Sequence, residues 1–500
     1  MRPIETLLLL ANTLALVALV IPRLRALRWT SFAAPITLLI AMAHVLTEGP
    51  RWQMAPAYAS TLALFLIWPI GLIALPGLHV SRSLRSVGMG LSMLLLAVAI
   101  ALPIVLPVFH FRKATGPYAI GTTTYHWVDM SRPELFTPDP SDHRELMAQV
   151  WYPAQNDVAA PRAPYIQDAA AVTPAMARLF QVPEFFFSHF NYVTTDAVVS
   201  APMADDESSY PVLIFLSGLD GFRSVNTFQI EELVSQGYVV VGLDQPGAVA
   251  TVRFPDGRQI SGWPPDEISS LIDQSVEAQS NVPMLYGQAL PEGIIPYFGI
   301  DVSFTLDQMA EVNRSDPNHV LTGHLDLDHT GAFGISLGGM NVAETCATES
   351  RLKACLIMDA SIPADAIKVG LRQPTMFITR DADTMRLERQ RSGGWTEHDI
   401  ALTLDTMRTL YEGLPGAGYY VAIPAMFHLN FTDFPNWSPF TSYIGLTGPI
   451  NGQRGFDIVN AYSVAFFDKH LKGQQSPLLD GSSAQYPEVN FETRRSKETR

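Results

Sequence analysis

The 500-residue chain is too long for one ordinary domain, and its hydrophobic residues, 48% of the total, are unevenly spread. Residues 1–113 carry nine Lys/Arg against two Asp/Glu, a net of +7, while the remaining 24 Lys/Arg and 46 Asp/Glu give −22. A soluble part this acidic repels phosphate backbones and argues against a nucleic-acid partner; two cysteines, Cys346 and Cys355, are too few for a disulfide framework or a cysteine zinc site.

Up to Lys113 the chain is dominated by Leu, Ala, Val and Ile. Four stretches, 3–21, 31–46, 57–78 and 87–109, read as transmembrane helices, since roughly 17–25 apolar residues span a bilayer. The first ends in Ile21-Pro22-Arg23 with no small-residue cleavage site, so it reads as a span and not as a signal peptide. Arg23, Arg25 and Arg28 follow the first stretch and Arg82 and Arg85 precede the fourth, whereas the loop between the second and third has only Glu48 and Arg51. The positive-inside rule then places the first and third loops in the cytoplasm, and the N-terminus and the C-terminal domain outside. Arg112 and Lys113 weigh the other way. The intramembrane ionisable residue singled out is His44, read as interfacial; the block reads as an anchor rather than a transporter.

From about Gly116 short β-rich runs alternate with helical stretches, the pattern of βα units around a largely parallel sheet. Strands are expected at 147–152, 212–216, 238–243, 330–333, 354–358, 375–379 and 419–423, and helices at 304–312, 339–348, 397–411 and 456–471. The segment 161–203 is an excursion rich in Phe, either packed core or a lid lining an acyl pocket. The tail, 474–500, is polar and expected to fray. The organisation is thus an anchor over 1–113, a catalytic domain over 114–473 and a tail. If the domain is exported, Cys346 and Cys355 can form one bridge; two buried thiols is the other reading.

The strand at 330–333 runs into Gly334-Ile335-Ser336-Leu337-Gly338-Gly339, and a helix follows. Strand–Gly-x-Ser-x-Gly–helix is a nucleophile elbow, in which tight packing demands glycine on both sides of an exposed serine hydroxyl. The helix N-terminus aims its amides where negative charge develops. A serine needs a histidine to take its proton and an acid to orient that histidine, in the chain order serine, acid, histidine. Downstream lie His398, His428 and His470; the first and last sit among charged helix residues, and His428, in a loop after a late strand, is the candidate base. Two strand ends offer an acid: Asp359 after the elbow helix, or Asp381 and Asp383 after the next strand. The second oxyanion amide belongs to the loop Ser217-Gly218-Leu219-Asp220-Gly221-Phe222-Arg223, making the amides of Leu219 and Leu337 the candidates.

From Gly116-Pro117-Tyr118-Ala119-Ile120-Gly121 through Trp151-Tyr152-Pro153, Phe254-Pro255-Asp256-Gly257-Arg258 and the elbow, the chain resembles the plasma-type (group VII) platelet-activating-factor acetylhydrolase family and its bacterial relatives. The most specific piece is His428-Leu429-Asn430-Phe431-Thr432-Asp433-Phe434, similar to that family's His-x-Asn-Phe-x-Asp-Phe signature. The resemblance implies an α/β-hydrolase fold, here preceded by about four transmembrane helices. It implies Ser336, Asp359 and His428 as the triad, because Met358-Asp359-Ala360 matches the family's acid context. It further implies a cofactor-free, metal-independent ester hydrolase acting on short or oxidised acyl chains of phospholipids. Ile335 and Ser217 stand where family members usually have histidine, which puts substrate preference in doubt. Asp383 remains the alternative acid, since Asp381-Ala382-Asp383-Thr384 resembles the acid loop of cutinase-like polyester hydrolases. The expected protein is a multi-pass membrane esterase with its hydrolase domain outside the cytoplasm and a lipid or small acyl-ester substrate. The alternatives are a dienelactone- or polyester-type esterase on a non-lipid ester, and a catalytically silent membrane-bound sensor.

Overall fold

The computed structural model describes residues 1–25, 32–72, 82–156 and 160–494. Arg28, the start of the second expected span and residues 73–78 of the third lie outside them. The chain divides into two compact units: Met1–Phe109 with Ser188–Val193 and Trp437–Phe440, and His110–Phe187 with Thr194–Asn436 and Thr441–Arg500.

The first unit is built on helices α1 (Pro3–Val20), α2 (Ala33–Thr47), α3 (Ala55–Leu72) and α4 (Arg82–Val105). Two described helices, Pro3–Val20 and Ser86–Val105, are long and apolar enough to cross a membrane, against the four expected. Helix α2 has 15 residues, about 22 Å at 1.5 Å per residue, short of the roughly 30 Å hydrocarbon core. It stops at Thr47 because Gly49, at φ +78°, turns the chain and returns its amide to the His44 carbonyl. Helix α3 ends its described course at Leu72.

The packing of this unit is inverted relative to a water-soluble bundle. Leu10, Leu14, Leu39, Leu66, Leu91 and Leu94 are each more than half exposed, whereas Glu5, Asn12, Thr37, His44, Arg51 and Gln53 are buried. Asn12 donates to the Ala57 carbonyl and accepts from Thr61, joining α1 to α3. His44 is not a lone ionisable residue. Glu5 accepts from Arg51 Nε at 2.7 Å and Nη2 at 2.8 Å, and from Arg2 Nε at 2.9 Å. Arg2 Nη2 lies 3.2 Å from His44 Nε2, and His44 Nδ1 lies 2.8 Å from the Tyr58 hydroxyl. Glu5 sits inside the first apolar run, and its partner Arg51 is 46 residues away, a pairing that local pattern does not reveal.

The second unit carries an eleven-stranded sheet. Its strands are β1 (Ala119–Pro133), β2 (His143–Ala154), β3 (Arg162–Pro164), β4 (Thr194–Val199), β5 (Tyr210–Leu216), β6 (Val239–Asp244), β7 (Leu325–Ile335), β8 (Leu352–Met358), β9 (Thr375–Thr379), β10 (Gly418–Ala422) and β11 (Asn490–Arg494). Their order is β11-β10-β9-β8-β7-β5-β6-β2-β1-β4-β3. Strands β10, β9, β8, β7, β5 and β6 are parallel to their neighbours in that run, and β2 joins β6 antiparallel. Strands β5, β6 and β9 are buried along their whole length, as expected where helices cover both faces. This is the α/β-hydrolase architecture, and the seven expected strands all fall within it.

Two parts of the sheet differ from expectation. The tail does not fray over its described length: β11 pairs antiparallel with β10, and Glu492 bridges Arg408. An edge strand this polar carries no apolar run to announce it. The excursion between β2 and β5 adds β3 and β4 to the far edge, with helix α5 (Ala169–Leu179) between them. Phe187 is buried, in line with the core reading, whereas Leu179, Phe180 and Phe185 keep more than a third of their surface exposed.

Helix α6 (Thr227–Ser235) follows β5, and α7 (Pro265–Val276) and α8 (Ile295–Arg314) lie between β6 and β7. Helix α9 (Leu337–Thr348) follows β7, α10 (Ala382–Ser392) and α11 (Glu397–Gly413) follow β9, and α12 (Gly452–Leu471) follows the loop after β10. Cys346 of α9 and Cys355 of β8 are disulfide-bonded, so the two-thiol reading does not hold. With the cysteines nine positions apart in sequence, the loop-entropy estimate gives the bridge roughly 2.5–3 kcal/mol. The Cys346→Ala/Cys355→Ala double variant should therefore lose about that much stability in urea unfolding. Alkylation without reductant should leave the wild-type mass unchanged; two added alkyl groups would contradict the bridge.

Candidate active site

The site residues gather where the parallel strands end. Strand β7 ends at Ile335, and Ser336 turns the chain into α9 with φ +57° and ψ −125°, a conformation most side chains avoid. Its amide donates to the Met358 carbonyl at 3.0 Å, which sets the serine beside the end of β8. The flanking glycines answer to space. A Cβ on Gly334 would lie 2.4 Å from the Gly338 carbonyl carbon, and one on Gly338 would lie 2.0 Å from the Leu216 carbonyl oxygen. No side chain fits at either position.

The loop after β5 passes against the same serine. A Cβ on Gly218 would be 3.2 Å from Ser336 Cβ and 3.7 Å from its Oγ. The loop is closed on itself by Gly221 N–H to the Gly218 carbonyl, and Asp220 N–H donates to Ala248. This puts the Leu219 segment next to Ser336. Leu337 is the first residue of α9, so its amide has no acceptor within the helix. Burial pushes the Asp220 carboxyl in this loop up to about 6.

Asp359 follows β8 with φ +44° and has no exposed side-chain surface. His428 follows β10, and its Nδ1 lies 2.6 Å from Asp359 Oδ2. That contact leaves Nε2 as the ring's remaining nitrogen. Asp359 also accepts from Arg380 Nε at 3.1 Å and from the Thr379 hydroxyl at 3.1 Å. Burial alone would raise its pKa; the charge of Arg380 and the hydrogen bond from His428 outweigh that and hold it at about 2. Those partners favour the charged form of Asp359. Asp383 is on the surface, 93% exposed and paired with Arg386, and Asp381 caps α10 by accepting from Thr384. His398 pairs with Glu277 on the surface, and His470 lies 3.0 Å from the Tyr419 hydroxyl.

The His428 loop is pinned by its own motif. Asn430 Oδ1 accepts the amides of Phe427 at 2.8 Å and Gly448 at 2.6 Å. The Asp433 carboxylate, fully buried, accepts the amides of Thr227 at 2.8 Å and Phe228 at 3.0 Å, at the start of α6. Burial pushes its pKa well up, and those amides oppose the shift. Asp433 thus ties the loop carrying His428 to the helix that follows the Leu219 loop. Sequence reasoning passed over Arg380, Glu388 and Trp395. Arg380 is buried against Asp359 and paired with Glu388, and Trp395 stands edge-on to the His428 ring at 5.2 Å. Arg380-Asp381 and the Trp395 loop read as ordinary surface polarity, with no motif to mark them.

Among the described residues, one group of acids and histidine is close enough to hold a metal ion: Glu5, His44 and Glu48. There the guanidinium of Arg2 contacts His44 and pairs with both acids, and Arg51 is on Glu5, so positive charge is already in place.

The family model of platelet-activating factor acetylhydrolase, isoform II, matches residues 105–259, a stretch that includes the Leu219 loop and ends before Ser336. Over most of its length the chain is similar to platelet-activating factor acetylhydrolases. A probable 1-alkyl-2-acetylglycerophosphocholine esterase of Arthroderma benhamiae is 24% identical over 57% of this chain and 67% of the relative. The platelet-activating factor acetylhydrolase of Gallus gallus is 23% identical over 71% of the chain and 82% of the relative, and that of Canis lupus familiaris 24% over 72% and 77%. A ferulic acid esterase from Streptomyces cinnamoneus superposes with a TM-score of 0.57 at 25% identity, covering 77% of this chain and 99% of its own. All are esterases, and the chain is a carboxylic-ester hydrolase; the silent-sensor alternative falls away.

Asp433→Ala should cost roughly 1–3 kcal/mol for each buried amide it orphans, read as a lower urea midpoint. Loss of ester turnover should accompany it, because the His428 loop is released from α6. A variant with the wild-type midpoint would show that Asp433 does not hold the loop.

Proposed function

We propose that the protein is a membrane-anchored serine esterase that cleaves short or oxidised acyl esters of phospholipids or similar lipids through an acyl-enzyme. The observation that carries this reading is the 2.6 Å contact between His428 Nδ1 and a buried Asp359 carboxylate, at the strand ends that hold the Ser336 elbow. In this reading His428 Nε2 takes the Ser336 proton as Oγ attacks the ester carbonyl carbon. The carbonyl oxygen, now an anion, meets the amides of Leu219 and Leu337. Collapse expels the alcohol, which leaves with the proton from His428, and the acyl group stays on Ser336. A water activated by the same histidine then releases the acid. Asp359 holds the imidazole tautomer and stabilises the imidazolium, so no cofactor or metal enters the chemistry.

The lipid substrate is supported by the names of the acetylhydrolase relatives. The bilayer placement is supported by the inverted first unit, whose leucines face outward and whose charged groups pair inward. The disulfide supports an extracytoplasmic hydrolase unit, because cytosolic thiols are kept reduced. A second reading, an esterase for a non-lipid ester, is favoured by the ferulic acid esterase likeness.

A p-nitrophenyl ester series from acetate to palmitate, run with the full chain in detergent, separates chain-length classes. The lipid reading predicts turnover of the acetate and a fall toward palmitate, together with release of acetate from a 2-acetyl phospholipid. A feruloyl ester cleaved far faster than any of these would move the second reading ahead. On the same substrates Asp359→Asn should lose on the order of 10⁴ in turnover, whereas Asp383→Asn should keep most of it. The reverse pattern would transfer the acid's role to the strand after β8.

A further inference from the structure

Asp359 does not face His428 alone. Arg380 has no exposed side-chain surface, and its Nε reaches both oxygens of Asp359, at 3.1 Å and 2.9 Å. A full positive charge on the orienting carboxylate works against its task, because the carboxylate must stabilise a positive imidazolium. Asp359 and Arg380 together are neutral, and a neutral pair gives the imidazolium little help. Glu388 alters that balance. Its carboxylate pairs with Arg380, is about nine-tenths buried, and accepts the backbone amide of His428 at 3.2 Å. Trp395 closes the group, with its ring face 4.3 Å from the Arg380 guanidinium and its plane inclined at 64° to the His428 ring. Counted together, Asp359, Arg380 and Glu388 carry one net negative charge, and with a protonated His428 the four groups sum to zero.

We propose that Glu388 is a positioning residue that restores the negative charge Arg380 takes from Asp359, so that the three-residue cluster as a whole stabilises the His428 imidazolium. Arg380 is the connector between the two acids, fixing the Asp359 carboxylate by a charged contact in which Nε is shared between both oxygens. This rests on the assignment of Ser336, His428 and Asp359 made above and adds a second acid behind the first. The charge is felt through His428 and Asp359, without contact to substrate.

The test is a double-mutant cycle on the full-length enzyme with a p-nitrophenyl ester. Glu388→Gln keeps the shape and removes the charge, leaving the neutral Asp359–Arg380 pair. Its kcat should fall roughly 10²-fold with KM little changed, the order seen when one preorganised electrostatic partner is lost. Adding Arg380→Gln to it removes the opposing charge and returns the cluster to one net negative charge. The double variant should therefore recover at least about tenfold in kcat over Glu388→Gln, a sign of coupling that independent losses of packing do not produce. Should the double variant fail to fold by circular dichroism, Arg380→Lys in the Glu388→Gln background serves instead: it keeps the charge and should show no recovery. A Glu388→Gln enzyme with wild-type kcat, recovery with Arg380→Lys, or a double variant that folds yet falls below both singles would overturn the inference. Ser336→Ala in the same assay separates the two levels. If it remains active, the site assignment fails; if it is dead while Glu388→Gln turns over normally, only the role of Glu388 fails.

Discussion

A carboxylate with no exposed surface cannot stay charged unless its surroundings supply what water would, and Asp359 is such a group. Three donors converge on it, from His428, Arg380 and Thr379. Its position is set by the sheet: β8 ends at Met358, the Asp359 amide bonds to the Ile378 carbonyl of β9, and the Ser336 amide bonds back to Met358. Ser336, Asp359 and His428, the proposed nucleophile, acid and base, follow β7, β8 and β10, strands held in register with β9 between the last two. The disulfide joins α9, which begins at the elbow, to β8, which delivers the acid. Much of the unit's architecture fixes one hydrogen bond and the serine beside it.

The same logic of compensated charge recurs in the first unit. There the outward face is leucine and the interior holds Glu5 between Arg2 and Arg51, with His44 and Tyr58 completing the group. Arg51 also donates to the Leu106 carbonyl at the end of α4, so the ion pair ties together the helix ends at one side of the bundle. An unpaired charge in such a place would cost several kcal/mol; paired, it fixes which helix ends meet.

Much of this was legible in the sequence because it rests on local rules. The elbow declared itself through glycines that backbone contact makes obligatory, and the central strands through unbroken apolar runs. The motif from His428 to Phe434 carried more than its histidine, since Asn430 and Asp433 are spent pinning the loop. What escaped depends on partners distant in sequence. Glu5 and Arg51, or Arg380 against Asp359, are meaningful only once the fold brings them together. The choice between Asp359 and Asp383 was likewise open to order alone, since both end strands; burial separates them, one enclosed and one in solvent. The tail was misjudged because a polar edge strand looks like a frayed end until its partner is known.

The proposed mechanism requires Ser336 to form the covalent intermediate. Incubating the full-length protein with a fluorophosphonate and mapping the adduct by peptide mass spectrometry addresses this directly. The expected result is a single adduct on Ser336 that forms at least about 10³-fold more slowly in His428→Ala, where the general base is gone. An adduct on another serine, or ester turnover that continues with Ser336 fully blocked, would contradict it.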